Sequence, residues 1–256
     1  YKEIQPKIID ERCVDHCTIC VKFCPFTEKN ITQEAIKVAK TSKANSFGLE
    51  DAKYFISYDK RNEKRIKSAS GGVVTELALY MVENKIVDAV IHADMLEAKN
   101  GEMHYHASIS RSLDEIESKR SSFYAPISFE KVLKEFINKE DKILFIGVPC
   151  VVRAVNELFK KSKLYKKNNI FTIALSCSHN VNGQFIDFLA DSELISKDES
   201  YRVDLRNNDG IQSANHFNNH FFKTDSSNNV ETIIKKDRYK TVFTDRWRNY
   251  FFTMNV

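Results

Sequence analysis

Four cysteines fall within twelve residues near the start of this 256-residue chain: Cys13, Cys17, Cys20 and Cys24, with Pro25 directly after the last. The run reads C-V-D-H-C-T-I-C-V-K-F-C-P. Its last three cysteines follow Cys-x2-Cys-x3-Cys-Pro, a spacing that lets a short loop wrap a 4Fe–4S cluster. Thiolates are strong donors to iron, and a proline after the last ligand turns the chain away and excludes water. Four clustered thiolates also make a tetrahedral zinc site, so both metals stay open on the residues alone. Cys13 lies four residues before Cys17, where three is usual, and Val14 holds the expected place. Thr18 stands where a small glycine is often found.

The remaining cysteines are Cys150 and Cys177, so most of the six sit in one loop, unlike a secreted disulfide framework. No apolar run approaches a membrane span and no signal peptide is evident, which predicts a cytoplasmic protein. The net charge of +4 is too mild to demand nucleic acid, but it suits an anionic cofactor or substrate. The chain opens on Tyr1 rather than Met and stops soon after Phe251 and Phe252, so it is expected to be a fragment lacking residues at both ends.

Beyond Pro25 lies a lysine-rich stretch read as a solvated face, with a helix expected from Thr32 and a connector to Leu49. Tyr54 to Tyr58 reads as a strand, with Asp59 to Glu63 as its turn. Helix and strand periods then alternate. Val73, Val74, Leu77 and Met81 form a helical stripe, and Ile86 to Ala93 a buried strand. Met103, Tyr105, Ala107 and Ile109 alternate with His104, His106 and Ser108; the two histidines read as surface residues. Ser112 and Glu115 spell a capping box. Phe129, Val132, Leu133, Phe136 and Ile137 make another stripe. Ile143 to Ile146 is a buried strand, Val151, Val155, Leu158 and Phe159 the next helix, Ile170 to Leu175 another strand, and Phe185, Ile186 and Leu189 another helix. From Tyr201 the pattern turns to strands, with a hairpin over His220 to Lys236. The predicted fold class is α/β: a ferredoxin-like cysteine-rich head, a mostly parallel α/β body, and a more antiparallel C-terminal part. The expected division is 1–48 for the head and 49–130 and 131–256 for two halves of the body.

Three places in the body look chemical. Ser68-Ala69-Ser70-Gly71-Gly72-Val73-Val74-Thr75 opens the first body helix, where glycines permit close backbone approach and free N–H groups suit an anion. A plain helix cap explains the same residues. Gly147-Val148-Pro149-Cys150 and Ser176-Cys177-Ser178-His179-Asn180 each follow a buried strand, where open α/β sheets place their sites. Adjacent strands would open Cys150 and Cys177 onto one crevice; two separate core thiols are the alternative.

Taken together these elements resemble the beta subunit family of coenzyme F-420 hydrogenase/dehydrogenase, a family of flavin and iron–sulfur oxidoreductases. The cysteine head resembles the family's ferredoxin loop. Arg65 with S-A-S-G-G-V-V-T resembles its R-x-x-x-S-G-G element, Lys119 to Tyr124 its G-S-K-Y element, and Gly147 to Cys150 its G-T-P-C element. Ser121, Phe123 and Val148 depart from those patterns. Tyr201 to Gly210 is similar to its later Arg-rich strand.

The resemblance implies FAD near Ser68, Ser70, Gly71, Gly72, Val73, Ser122, Tyr124, Gly147 and Pro149. It implies one 4Fe–4S cluster on Cys13, Cys17, Cys20 and Cys24, and Cys150 and Cys177 as ligands of a possible second cluster in a longer chain. It implies a redox partner protein or subunit and a small-molecule electron acceptor, with no nucleic acid and no membrane span. The alternative is a zinc- or cluster-stabilised non-redox accessory protein or transferase of a polysaccharide pathway.

Overall fold

The computed structural model describes residues 13–28, 31, 32, 36, 40, 44, 45, 48, 49, 53–166, 169–177, 183–208, 217–225, 227 and 229–237. The helix expected from Thr32 falls mostly outside these residues, as do Ser178, His179 and Asn180. The head contributes α1 (Ile19–Phe23) and a small antiparallel ribbon of β1 (Ala44–Asn45) and β2 (Gly48–Leu49). Two helices precede the main sheet, α2 (Asn62–Ile66) and α3 (Val73–Glu83). Then come β3 (Ala89–Met95), β4 (Tyr105–Ser110), α4 (Leu113–Ser118), α5 (Glu130–Lys134), β5 (Ile143–Gly147), α6 (Pro149–Lys161) and β6 (Ile170–Ala174). The chain continues with α7 (Gly183–Ser192), β7 (Arg202–Asn207), β8 (Asn218–Thr224) and β9 (Val230–Asp237).

The main sheet runs β4-β3-β5-β6, with β3–β5 and β5–β6 parallel and β3–β4 antiparallel. Successive strand residues point to opposite faces, and here both faces are covered. Ala89, Ile91, Ile143 and Phe145 pack against Val132, Leu133 and Phe136 on one side, joined by Val152, Val155 and Phe159 of α6. Val90 and Leu144 turn the other way, onto Ala78 and Leu79 of α3 and Ile116 of α4. The body is therefore a three-layer α/β unit, as the alternating periods predict. The order β7-β8-β9 forms a separate antiparallel sheet, with β8 and β9 as the expected hairpin. Its core, including Val203, Leu205 and Phe221, packs with Tyr105 and the Ile186 and Leu189 face of α7. Ala98 and Tyr201 exchange both backbone bonds, each 3.0 Å, and stitch the two parts together.

Three expectations need correction. Tyr54 to Tyr58 is not a strand: it pairs with no strand among the described residues, and Phe55 and Ile56 are 80% and 102% exposed. Apolar content without a neighbour to take its backbone bonds does not make a strand, and the expected turn after it instead leads into α2. The α3 stripe is rotated: Leu77 faces solvent while Ala78 and Leu79 are buried. His104 is not a surface residue. Its ring is buried, stacked on Tyr201 at 4.7 Å, with Nε2 3.6 Å from Asp187 Oδ1. The capping box of α4 forms as expected, with Ser112 Oγ accepting from Glu115 N–H and the Glu115 carboxylate accepting from Ser112 N–H.

His92 is also buried, sharing a 2.8 Å hydrogen bond with Ser110 Oγ. Burial first, and the nearby Lys119 charge second, push its pKa down to about 4. Burial lowers His104 as well. Unfolding frees His92 to take a proton near its ordinary value of 6.5. Its contribution is thus present above that value and is lost as pH falls toward about 4. Urea unfolding should show stability dropping over that window, with His92 contributing about 3 kcal/mol. His92→Gln should flatten the slope between pH 7 and pH 5; an unchanged slope would show that His92 is not the titrating group.

Candidate functional site

Helix α3 runs into β3 from the end where the parallel strands finish. Its N-terminus therefore lies at the same end of the sheet as the termini of β5 and β6. The turn before it is held by its own backbone. Asp59 N–H donates to Gly71 O at 2.7 Å, and a β-carbon on Gly71 would meet Ser57 O at 3.0 Å. Gly72 is the N-cap of α3 with φ of 81°, a left-handed conformation that L side chains rarely adopt. Gly72 has no side chain to cap α3, and no side chain among the described residues takes its first N–H groups. Ser70 is exposed, Gly71, Gly72 and Val73 are half-buried, and Ser68 is buried.

Ser68 is the junction of three chain segments. Its Oγ donates to Lys64 O at 2.9 Å and accepts from Arg120 Nη1 at 3.0 Å, and its carbonyl accepts from Asn208 Nδ2. The next residues extend the junction. Ser121 Oγ donates to Asp204 Oδ1 at 2.9 Å, and Arg206 Nη1 donates to Tyr124 OH at 3.2 Å. Arg206 also lies over the Phe217 ring, 4.3 Å from its centroid. Burial raises the Asp204 pKa, against the hydrogen bonds from Arg206 N–H and Ser121. The structure thus joins the Ser68–Gly72 turn, the Lys119–Tyr124 segment with Ser122, and β7.

Glu76 sits in the first turn of α3, where its charge would repel an anion. Two guanidiniums neutralise it: Arg61 on one oxygen and Arg120 on the other. Arg61 is in turn clamped by Asp59 through two bonds of 2.9 Å, and this pairing holds the Asp59 carboxyl down at about 2. Arg120, Glu76, Asp204, Arg206 and Asn208 escape a local reading of the sequence. Each is a single polar residue whose partner lies far along the chain; only the positions of Arg120 inside the Lys119–Tyr124 element and of Asp204, Arg206 and Asn208 inside the Arg-rich Tyr201–Gly210 element hinted at a role.

Gly147 is buried at the end of β5, and Pro149 opens α6 with Cys150 next. β5 and β6 are paired neighbours, with Leu175 N–H donating to Gly147 O at 2.8 Å. Cys150, half-buried, and Cys177, exposed, therefore follow adjacent strands at the same end of the sheet. In the head, Cys20 lies on α1, Cys17 precedes it and Cys24 N–H closes it onto Cys20 O at 3.0 Å. Cys13 and Cys20 are exposed, and Cys17 and Cys24 half-buried. No three Cys, His, Asp or Glu side chains converge among the described residues. The donor set suits a thiolate-bound metal, since none of the four is locked into a core. Helix α1 rests against α6, the helix that begins beside Cys150.

Residues 55–134 match the family model described as coenzyme F420 hydrogenase/dehydrogenase, beta subunit N-term, and residues 140–242 match the model for its C terminus. The chain belongs to this family. Among its relatives, the F420-dependent formate dehydrogenase subunit beta of Methanocaldococcus jannaschii is 29% identical over 119 residues, 45% of this chain and 30% of that protein. The F420-dependent formate dehydrogenase 1 subunit beta of Methanococcus maripaludis is 31% identical over 118 residues, 45% of this chain and 29% of the relative. The match thus spans under a third of either relative. A chain of the F420-reducing [NiFe] hydrogenase complex from Methanosarcina barkeri aligns over 74% of this chain and 62% of its own, with 19% identity and a TM-score of 0.49. The family models cover the turn at Ser68–Gly72, the Lys119–Tyr124 segment and the Gly147–Cys150 corner, but not the thiol-rich head.

The two glycines have separate structural reasons, and these can be measured. Gly72→Ala places a side chain in a left-handed conformation and should cost about 1 kcal/mol. Gly71→Ala pushes against backbone that cannot rotate away and should cost at least as much. Equilibrium unfolding of both variants checks this; a neutral Gly71→Ala would mean that the Ser57–Tyr58 backbone gives way.

Proposed function

We propose that this chain is an electron-transfer subunit of an oxidoreductase, carrying FAD at the end of its parallel sheet and a 4Fe–4S cluster in its head. The observation that carries the reading is the convergence at one end of the body. The uncapped start of α3, the Ser68 junction and the Gly147–Cys150 corner all lie there, and helix α1 of the thiol-rich head touches α6. Bound there, a flavin supplies electron exchange in pairs with a substrate and singly with a cluster.

The protein's own part is binding and shape. Ser70, Gly71, Gly72 and Val73 are proposed to present backbone N–H groups to the flavin phosphates, with Ser68, Ser122 and Tyr124 beside them and Gly147 and Pro149 on the facing edge. Neutralised Glu76 leaves that helix start open to an anion. Cys13, Cys17, Cys20 and Cys24 are proposed as the cluster ligands. Residues 1–48 would form the relay, and 49–130 and 131–256 the two halves of the flavin body. Cys150 and Cys177 are proposed as two ligands of a second cluster completed outside this sequence. Membership of the family supports an oxidoreductase role with a partner subunit and a small-molecule electron acceptor. No helix among the described residues is long and apolar enough to cross a membrane.

Anaerobic purification with a visible spectrum and metal analysis tests the reading. Flavin and iron with acid-labile sulfide are expected together, at about four irons per chain. Cys20→Ser should lose the iron and sulfide and keep the flavin, while Cys150→Ser should leave the iron count unchanged. Zinc without iron or sulfide would overturn the redox assignment of the head, and a colourless protein would overturn both halves.

A further inference from the structure

The Ser68–Gly72 turn is gripped at both ends by one connected set of charges. Arg120 holds Ser68 Oγ at 3.0 Å from one side, and its guanidinium continues to Glu76. Glu76 passes to Arg61, Arg61 to Asp59, and Asp59 returns through its N–H to Gly71 O at the far side of the turn. Only 3% of the Arg120 side chain is exposed, so its shape is set by these partners rather than by water. Glu117 lies 3.6 Å from Arg120 and 3.1 Å from Lys64.

The set contains Asp59, Glu76 and Glu117 against Arg61, Lys64 and Arg120, and so carries no net charge. It cannot act as a long-range attractor for an anion. Both terminal nitrogens of Arg120 already bond within the protein, and its buried Nε has no partner among the described residues. A residue so enclosed is badly placed to be a phosphate ligand and well placed to fix the backbone that would be one.

We infer that Arg120 is a positioning residue, acting with Glu76 through one connected set of contacts to set the conformation of the Ser68–Gly72 turn. The inference relies on the flavin reading only for the ligand used in one arm of its test. That arm measures FAD affinity of the full chain as wild type, Arg120→Gln, Glu76→Gln and the double variant. Positioning predicts that each single change weakens FAD about ten-fold or more and that the double adds little, because the pair works as a unit. If Arg120 were instead the anion's ligand, Glu76→Gln would free it and FAD would bind as well or better, which overturns the inference.

The second arm needs no flavin. Hydrogen exchange at the Asp59 amide, bonded to Gly71 O, should quicken about ten-fold in Arg120→Gln while the amides of β3 keep their protection. Arg120→Lys, which can reach Glu76 or Ser68 but not fork to both, should fall between wild type and Arg120→Gln. It also serves if the glutamine variant does not fold. Unchanged exchange at Asp59 in either variant overturns the inference whatever FAD does. A wild type that binds no FAD defeats the flavin reading alone and leaves the exchange result to decide.

Discussion

Strand β5 carries the architecture. It pairs in parallel with β3 on one side and β6 on the other, and Ile143, Leu144 and Phe145 are fully enclosed. A strand bonded on both edges and apolar on both faces has no stable place except between two helical layers. That demand puts α5 and α6 on one face and α3 and α4 on the other. It also sets direction. Helices that return a parallel strand's chain begin where the strands end, so the starts of α3 and α6 gather at one end of the sheet. The Ser68–Gly72 turn and the Gly147–Cys150 corner lie there for that reason.

The turn before α3 shows why glycine occurs twice in succession without being a ligand signature by itself. Gly71 is close to Ser57 and Tyr58 of its own chain, and Gly72 needs a positive φ to start the helix. Both requirements exist with or without a bound molecule. What distinguishes this turn from an ordinary cap is what surrounds it: no side chain among the described residues takes the free N–H groups, and the acidic residue of the first turn is cancelled by two arginines. An unneutralised Glu76 would disfavour any anion at this helix start.

Local pattern made much of the fold legible. The stripes at Val132, Leu133 and Phe136 and at Val155 and Phe159, the buried run at Ile143 and the Ser112 box all stand where periodicity and capping place them. The failures share a cause. Tyr54 to Tyr58 has strand composition but no pairing strand among the described residues, and His104 looks exposed until Tyr201, far along the chain, stacks on it. Pairing and burial at such separations are set by topology, which a window of residues does not contain. The site divides in the same way. Its glycine turn and strand-end cysteines stand out as motifs, whereas Arg120, Asp204 and Asn208 matter through partners on other elements.

The head differs in kind from the body. None of the residues of α1 is buried, and Val14 and Ile19 are 71% and 63% exposed. A segment with so little apolar burial cannot offset its own ordering entropy by packing. Its four thiols are the means at hand, because metal ligation contributes folding free energy directly where a core is missing. On the proposed reading the cluster is therefore structural as well as electronic for residues 13–28. Helix α1 touches α6, the helix whose first turn carries Cys150, so the head's one helix meets the body on an element that starts at the end of the sheet.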